Sequence, residues 1–375
     1  MGKIPFCPNP SCACHTPPPH ESWFRPNGYY PTRAFGLVPR FICTSCHKSF
    51  STQTFSTNYY AKKLVPLREI FLRHAEAQSG RAISRALHVS PSTIQNRLDR
   101  LARQSLALHA RLRTLAKNHE DICIDGFVSF DRSQYFPSEI TISVAARSQM
   151  VLEVSHASRR RSGVMTSDQA KKAHKLYGSV QLERGAVSRT FRDNLDTLAI
   201  LRPPRPASPL VLITDEKPEY QHILFRHPLF RTQNADRRVA HIQVWSKLPR
   251  DRSNPLFPSN YIDRLIRKDQ ANHHRETVCY NRNVANGLSR LACYIAYHNY
   301  FKPFRINAKV TEKRTHGEAS GIDQELIKKQ IGSLFKNREF LSKSNLSPPL
   351  ERIWRKAART PMKNYAEYMP KFAYS

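Results

Sequence analysis

Runs of strand-forming residues between positions 122 and 216 predict one mixed sheet. The run at 122–130, ICIDGFVSF, is apolar on both faces of a two-residue repeat, which is typical of a strand buried at the centre of a sheet. Runs at 139–147 and 150–157 follow at short spacing, so these three strands are expected to form an antiparallel meander. A fourth run at 208–216 closes on acidic residues, whereas 225–255 shows no clear periodicity and is expected to consist of loops with short elements.

A helical region at 59–118 precedes the predicted sheet. Its segment RAISRALHVSPSTIQNRLDRLARQ has the apolar spacing of a helix, a tight turn and a second helix, which Ser90 or Ser92 would cap. His88 stands at the turn position that glycine most often holds. This is the layout of a helix-turn-helix unit, whose second helix enters the major groove of DNA; an ordinary helical hairpin is the alternative. The side chains expected to be free to face DNA are Ser92, Thr93, Gln95, Asn96, Arg97 and Arg100.

The charge of the chain narrows the choice of partner. Lys and Arg number 60 against 29 Asp and Glu, which gives a formal net charge of +31 over 375 residues. An excess of this size is the electrostatic signature of a protein that binds a polyanion such as nucleic acid, with a merely basic soluble protein as the alternative. No run approaches the roughly 20 apolar residues of a membrane span, and the N-terminus lacks the apolar core of a signal peptide. We therefore expect a cytoplasmic protein without a membrane partner.

Cysteines cluster near the N-terminus. In a reducing compartment, clustered cysteines bind a metal more often than they form disulfides. Cys43 and Cys46 make a C-x2-C knuckle, and an earlier pair lies about 30 residues upstream. Four thiolates in two close pairs can surround Zn²⁺ tetrahedrally while the intervening loop folds as a small ribbon. The ligands predicted for one structural zinc ion are Cys7, Cys12, Cys43 and Cys46, with Cys14 or His15 as the alternative to Cys12.

Three carboxylates are candidates for a second metal site. Asp125 lies inside the central apolar run, where an ionised carboxylate is costly unless it is paired, hydrogen-bonded or bound to a metal. Asp215 ends the fourth strand, and Glu276 is expected to open a long amphipathic helix. Converging carboxylates repel one another unless cations lie between them, and oxygen ligands suit Mg²⁺ or Mn²⁺. The competing acids are Asp121 and Asp131 for the first position, Glu216 for the second, and Asp263 and Asp269 for the third.

The order of these features resembles bacterial insertion-sequence transposases of the DDE class, above all those with an N-terminal zinc ribbon. The resemblance covers roughly residues 5–305 and is carried by RFICTSCHKSF, by the ITDE strand end and by RETVCYNRNVANGLSRLACYIAYHNYFKP. It implies a multidomain α+β protein. The implied parts are a zinc ribbon at 1–57, a helix-turn-helix region at 58–118, a ribonuclease H-like catalytic domain with an α/β mixed sheet at 119–310, and a basic helical tail at 311–375.

The resemblance also implies an activity and its residues. Asp125, Asp215 and Glu276 would be the catalytic acids, with Asp125 bridging two Mg²⁺ or Mn²⁺ ions for DNA strand cleavage and strand transfer. The expected partner is double-stranded DNA, namely terminal inverted repeats and target DNA, bound by a homo-oligomer in the bacterial nucleoid. A position that often carries Lys or Arg in this class is Asn283 here. Arg282 and Arg290 flank it, and Arg282 is the expected DNA contact. The alternatives are a non-catalytic DNA-binding derivative and a structure-specific nuclease with the same metal site.

Overall fold

A computed structural model describes most of the chain as a mixed α+β protein with two sheets and 12 α-helices. No helix among the described residues combines the length and the apolar character needed to cross a membrane. The described residues are 4–16, 20–204, 209–231, 239–274, 279–305, 307–309 and 313–363.

The first sheet is small, antiparallel and close to the N-terminus. Its strands are β1 (Phe24–Thr32), β2 (Gly36–Cys43) and β3 (Ser49–Ser51), in the order β1-β2-β3. Trp23 and Phe50 stack with their ring centroids 5.5 Å apart and, with Phe41, bury their surfaces beside the cysteines. These aromatic residues therefore build a core of their own, because so short a segment has few other apolar side chains.

Three helices follow in the predicted helical region. They are α1 (Leu67–Ala75), α2 (Gly80–Ala86) and α3 (Pro91–Arg113). Ser90 caps α3, since its Oγ accepts a hydrogen bond of 3.2 Å from the Thr93 N–H. His88 has a φ of 50°, so the tight turn between α2 and α3 does place a non-glycine residue in the left-handed region. The predicted helix, turn and helix are thus present.

The second sheet has five strands, in the order β6-β5-β4-β7-β8. The predicted antiparallel meander is confirmed for β4, β5 and β6, and β4 is the central strand. On the other side of β4, β7 pairs in parallel with it, and β8 pairs in parallel with β7. The strand β8 lies in the region expected to hold only loops with short elements. The bounds are β4 (Ile122–Phe130), β5 (Pro137–Ala145), β6 (Val151–Ser158), β7 (Leu210–Asp215) and β8 (Val239–Val244).

Helices surround this sheet. Among them, α5 packs on β5 and β6, and α8 packs on β4 and β5. The long helix after the sheet, α9, begins at Val284, where the Asn283 side chain accepts a hydrogen bond of 2.8 Å from the Asn286 N–H. The predicted start at Glu276 is therefore wrong, and Glu276 itself lies outside the described residues. The bounds are α4 (Ser167–Gly178), α5 (Ala186–Leu201), α6 (Pro218–Arg226), α7 (Pro228–Arg231), α8 (Phe257–Asp269) and α9 (Val284–Tyr300).

The region after residue 310, predicted to be a basic helical tail, is integrated into the fold as far as residue 363. Its helices are α10 (His316–Ala319), α11 (Gln324–Leu334) and α12 (Pro348–Trp354). Trp354 is buried in a hydrophobic core that also contains side chains of α3, α9 and the five-stranded sheet. The helix α3 packs along α9 and contributes side chains to this same core.

Candidate functional site

Asp125 and Asp215 lie at the same level on two neighbouring strands, β4 and β7. The parallel ladder between β4 and β7 pairs Ile122 with Leu212 and Cys123 with Ile213, and no further pair follows. Asp125 and Asp215 each come two residues after the last pair, so they lie at the same level beside the crevice between the separating strands. Each side chain keeps under a fifth of its surface exposed, 19% for Asp125 and 17% for Asp215. The structure thus brings the first two predicted acids together, with both side chains partly accessible to solvent.

A lysine lies among these acids. The Lys217 Nζ is 3.6 Å from the Asp125 Oδ1 and 3.4 Å from the Asp215 Oδ2. It is also 4.0 Å from the Oε1 of Glu139, a buried residue on β5. Neither Lys217 nor Glu139 was singled out from the sequence. Lys217 stands directly after the ITDE run, so its proximity to Asp215 was the one available signal.

Gly126 makes the approach of Glu139 possible. A Cβ atom at this position would lie 2.2 Å from the Glu139 Oε1 and 3.1 Å from the Lys217 Nζ. A side chain here would displace the Glu139 carboxylate, because unbonded atoms do not approach to 2.2 Å, and it would crowd the Lys217 ammonium. The Asp-Gly pair of the central strand therefore combines a carboxylate with the space for the neighbouring charged side chains.

Asp125, Asp215, Glu139 and Lys217 together form an acidic centre. Burial and like charge destabilise the ionised form of its carboxylates. Burial raises the pKa of Asp125 to about 6; Asp215 adds to this rise, while the ammonium of Lys217 opposes it. Burial, together with the Asp125 carboxylate, raises the pKa of Asp263 on α8 well above its usual range. Asp263 therefore lies within the electrostatic field of Asp125. Carboxylates in this condition gain stability from an added positive charge.

The other competing acids are either exposed or hydrogen-bonded to residues outside this centre. Asp121 and Glu216 are exposed. Asp131 is fully buried, and its carboxylate accepts hydrogen bonds from the side chains of Ser158 (2.6 Å), His156 (3.0 Å) and Asn281 (3.1 Å). Asp269 accepts a hydrogen bond of 2.7 Å from the Tyr294 hydroxyl. For the third acid, Asp263 is the candidate among the described residues. Glu276 stays a prediction, because it lies outside them.

Two of the predicted DNA-contacting arginines are buried. The Arg97 guanidinium donates hydrogen bonds of 2.9 Å to the Lys63 carbonyl and 2.8 Å to the Asn96 Oδ1. The Arg100 guanidinium donates one of 3.2 Å to the Thr57 carbonyl and lies 4.2 Å above a tyrosine ring. The expectation that these side chains are free to face DNA is wrong, because both tie α3 to the preceding segment.

Other predicted DNA contacts keep exposed surface. Asn96 and Arg282 are exposed, and Gln95 is half-buried with its amide donating a hydrogen bond of 2.9 Å to Asp99. Arg81 and Arg85, which were not predicted as DNA contacts, are exposed on α2. These residues form the available basic and polar surface of the helix, turn and helix.

A basic turn follows β6 and connects to the acidic centre. The Arg159 Nε lies 3.1 Å from the Glu139 Oε2, so this arginine neutralises a buried carboxylate rather than facing solvent freely. The Arg161 guanidinium donates a hydrogen bond of 2.7 Å to Gln134. Arg160 is exposed, with its guanidinium 5.2 Å from the Tyr177 ring centroid. Of these three arginines, Arg160 therefore offers the most surface to a polyanion.

The four predicted cysteines form a second candidate site, which could hold a structural metal such as zinc. The Sγ atoms of Cys7, Cys12, Cys43 and Cys46 all lie within 4.8 Å of one another. Two of these separations are 3.5 Å and 3.7 Å, close to the roughly 3.8 Å between thiolates that surround a zinc ion tetrahedrally. The donor set and its spacing therefore fit zinc.

The structure also distinguishes between the alternative zinc ligands. The ring nitrogens of His15 are engaged elsewhere, one 2.7 Å from the Cys7 carbonyl and the other 2.8 Å from the Ser342 Oγ. The backbone N–H of Cys14 lies 3.4 Å from the Cys12 Sγ, the arrangement of a donor that supports a ligand thiolate. Cys12 is therefore the fourth ligand candidate, in agreement with the predicted set.

Replacing Cys46 by Ser is expected to remove the bound metal and to lower the melting temperature of the full chain. A missing thiolate leaves the tetrahedral site incomplete, and the small aromatic core beside it cannot hold the ribbon alone. Elemental analysis should find one zinc per wild-type chain. Cys14→Ser is the matched control, because it alters a buried cysteine of the same cluster yet should keep the metal. Retention of zinc by Cys46→Ser would contradict the assignment.

Arg97→Ala is expected to destabilise the fold rather than to change the choice of DNA sequence. The variant loses two hydrogen bonds of a buried charged group, which costs about 1–3 kcal/mol. Arg85→Ala should behave in the opposite way: it leaves the free energy of unfolding unchanged and weakens DNA binding. Urea unfolding and DNA titrations of both variants check this pair. A stable Arg97→Ala that has lost sequence preference would restore the original prediction.

Compared with known proteins, the chain matches no family model and no curated sequence. Its function therefore has to be inferred from the acidic centre, the helix, turn and helix, the cysteine cluster and the charge.

Proposed function

We propose that the protein is a DNA transposase of the DDE type, which binds DNA and uses divalent cations to cleave and join its strands. The observation that carries the proposal is the placement of Asp125 and Asp215 side by side at the crevice between two parallel strands. Ligand sites of open sheets lie at the carboxyl ends of strands, and β7 ends with Asp215. The mixed sheet, with its central strand carrying an acid, supports the ribonuclease H-like fold that the sequence resemblance implies.

The basic surface supports DNA as the substrate. The formal net charge is +31, and the helix, turn and helix carries Arg81, Arg85 and Asn96 exposed beside its turn. Arg282 is exposed next to Asn281, whose backbone N–H donates a hydrogen bond of 3.0 Å to the Phe130 carbonyl at the end of β4. DNA contacted by Arg282 would therefore pass close to the strand that carries Asp125.

The residues of the acidic centre fit a hard divalent cation. Its donors are carboxylate oxygens, which Mg²⁺ and Mn²⁺ prefer, and burial together with Asp215 disfavours a second negative charge at Asp125. Asp125 and Asp215 would hold the cation, with Asp263 or Glu276 as the third ligand. A bound cation would supply positive charge to the phosphate oxygens of the substrate. The number of ions, two in the sequence prediction, and the assembly of a homo-oligomer on DNA stay predictions.

The proposal is tested by strand cleavage of labelled DNA that carries the terminal inverted repeats of the insertion sequence that would encode the protein. Cleavage should require Mg²⁺ or Mn²⁺ and should be lost in Asp215→Asn but kept in Glu216→Gln, a matched control at the exposed neighbouring position. Comparing Asp263→Asn with Glu276→Gln identifies the third acid, because only the true ligand should be indispensable. Metal-dependent cleavage without preference for the repeats would instead indicate a structure-specific nuclease.

A non-catalytic DNA-binding protein derived from a transposase is the second candidate. The observation that favours it is Lys217, whose ammonium already lies among the acids and lowers their need for a metal. Specific binding to the repeats by a purified protein that never cleaves them, in Mg²⁺ or Mn²⁺, would support this candidate over the enzyme.

A further inference from the structure

Both the backbone and the side chain of Lys217 make contacts that position it. It is the last residue before α6, and Pro218 forms the first turn of that helix. Its backbone N–H donates a hydrogen bond of 3.3 Å to the Asp215 Oδ1, and its ammonium donates one of 3.2 Å to the Tyr220 hydroxyl. An exposed lysine behaves differently: Lys268, with 76% of its side chain exposed, merely approaches its neighbour Asp269 at 3.9 Å.

The ammonium of Lys217 is shared among its acidic neighbours instead of being bonded to one of them. Its distances to the carboxylates of Asp125, Asp215 and Glu139 are 3.6 Å, 3.4 Å and 4.0 Å. All three exceed the roughly 2.7–2.9 Å of a direct charge-assisted hydrogen bond. A cation that is nearly equidistant from several carboxylate oxygens occupies the position where a metal ion would also have its most favourable electrostatic energy.

Glu139 shows that the centre is built around a positive charge. This residue is 1% exposed, and its Oε1 has no hydrogen-bond partner among the described residues. A buried carboxylate oxygen without a donor is costly unless a cation compensates for it. The Oε1 points into the space that Gly126 leaves open, toward Lys217, while its other oxygen is neutralised by Arg159.

The charges of the ion-paired residues leave little need for two divalent ions. Asp125, Asp215 and Glu139 carry three negative charges when ionised, and Lys217 and Arg159 carry two positive ones. One Mg²⁺ or Mn²⁺ already outweighs the remaining negative charge of these five residues. A second divalent ion would add a further excess of positive charge before any DNA phosphate arrives.

We propose that Lys217 takes the place of one of the two divalent ions, so that the centre binds a single ion and uses the ammonium as its second positive charge. This inference rests on the proposed function, because it concerns the same acids. It makes Lys217 a residue that contacts the phosphate oxygens of the DNA. Glu139 is then a positioning residue, which holds the ammonium at the centre.

The test is the number of Mn²⁺ ions bound by the zinc-loaded full chain, measured by calorimetry and by electron paramagnetic resonance. The wild type should bind one Mn²⁺ ion, whose electron paramagnetic resonance signal shows no coupling to a second ion. Lys217→Met keeps the length of the side chain and removes its charge. This variant should bind two ions with a spin-coupled signal, and its first ion should bind about tenfold or more tightly, because a nearby positive charge no longer repels it. Lys217→Arg should return to one ion.

Two controls keep the result interpretable. Lys268→Met removes an exposed lysine that approaches the carboxylate of Asp269 and should leave one ion. The melting temperature of Lys217→Met without Mn²⁺ should fall and should recover when Mn²⁺ is added, which shows that the variant is folded in the titration.

The outcomes separate this inference from the proposed function. A wild type with a spin-coupled pair of ions, or a Lys217→Met variant that still binds one, overturns the role of Lys217. Absence of Mn²⁺ from the centre in both proteins overturns the metal centre and the role of Lys217 together. One ion in the wild type and two in Lys217→Met, without cleavage of any DNA, would confirm the role of Lys217 while the transposase proposal fails.

Discussion

Asp125→Asn is expected to lower metal-dependent DNA cleavage by about 10³-fold or more while leaving DNA binding intact. The substitution keeps the shape of the side chain but removes the charge that would hold the cation. The position lies in a buried strand where an apolar residue would fill the space without a desolvation cost, so the carboxylate has no role in packing. Cleavage of labelled repeat DNA and a binding titration, run in parallel, measure the two properties.

The matched control for this prediction is Asp121→Asn. Asp121 is an exposed acid directly before the same strand, so its substitution should leave cleavage near the wild-type rate. Near-normal cleavage by Asp125→Asn would refute the metal site, and the protein would then be a DNA-binding module.

The same variant should change how stability depends on pH in buffers without Mg²⁺ or Mn²⁺. Burial raises the pKa of Asp125 from 3.8 to about 6, so between these values the folded state holds more protons than the unfolded state. The free energy of unfolding must therefore fall as pH rises through this window and level off above it. Asp125→Asn removes that fall. Urea unfolding at about pH 4 and pH 7 should show a smaller loss of stability for the variant than for the wild type.

Arg113→Met is expected to lower the free energy of unfolding by about 3–5 kcal/mol. The Arg113 guanidinium and the Glu153 carboxylate form an ion pair of 2.9 Å with 3% and 0% of their side chains exposed. Glu153 also accepts hydrogen bonds from Thr197 (2.8 Å) and Ser347 (2.5 Å), so it connects α3, β6, α5 and the segment before α12. Removing the arginine leaves a buried charge without its counter-ion.

Two further variants check that explanation. Adding Glu153→Gln to Arg113→Met should recover part of the loss, because the amide keeps an acceptor for the two hydroxyls without the charge. Arg111→Met breaks the 2.6 Å pair with Glu339, but Arg111 keeps 42% of its side chain exposed, so the cost should stay within about 1 kcal/mol. Equal losses for Arg113→Met and Arg111→Met would contradict the role of burial.

The sequence was informative where local pattern decides the structure. Period-two apolar runs predicted the meander and the central strand, and cysteine spacing predicted the four-thiolate cluster. The Ser90 cap and the left-handed His88 were also readable, because helix ends and tight turns depend on a few neighbouring residues. Asp125 was identified because a charged residue in an apolar strand conflicts with its surroundings.

The features that were missed depend on residues far apart in the chain. Arg97 and Arg100 were expected on the surface, yet backbone carbonyls of Lys63 and Thr57 accept their hydrogen bonds. The strand β8 pairs only with β7 among the described strands, and most of its side chains are not buried, so it carries no strong apolar pattern. Glu139 and Lys217 meet only after β5 and β7 have been placed around β4.

The contact between early and late parts of the chain has a consequence for protein synthesis. The Thr57 N–H donates a hydrogen bond of 3.0 Å to the Lys336 carbonyl, and the Phe6 ring packs 5.2 Å from that of Phe340. The N-terminal sheet leaves the ribosome well before these partners, which lie far along the chain. A nascent chain should therefore be unable to complete the packing of this sheet until residues 336–340 have emerged, and a stop codon at position 323 should leave the sheet sensitive to protease. A mutation near residue 336 would thus damage a part of the protein that was synthesised much earlier.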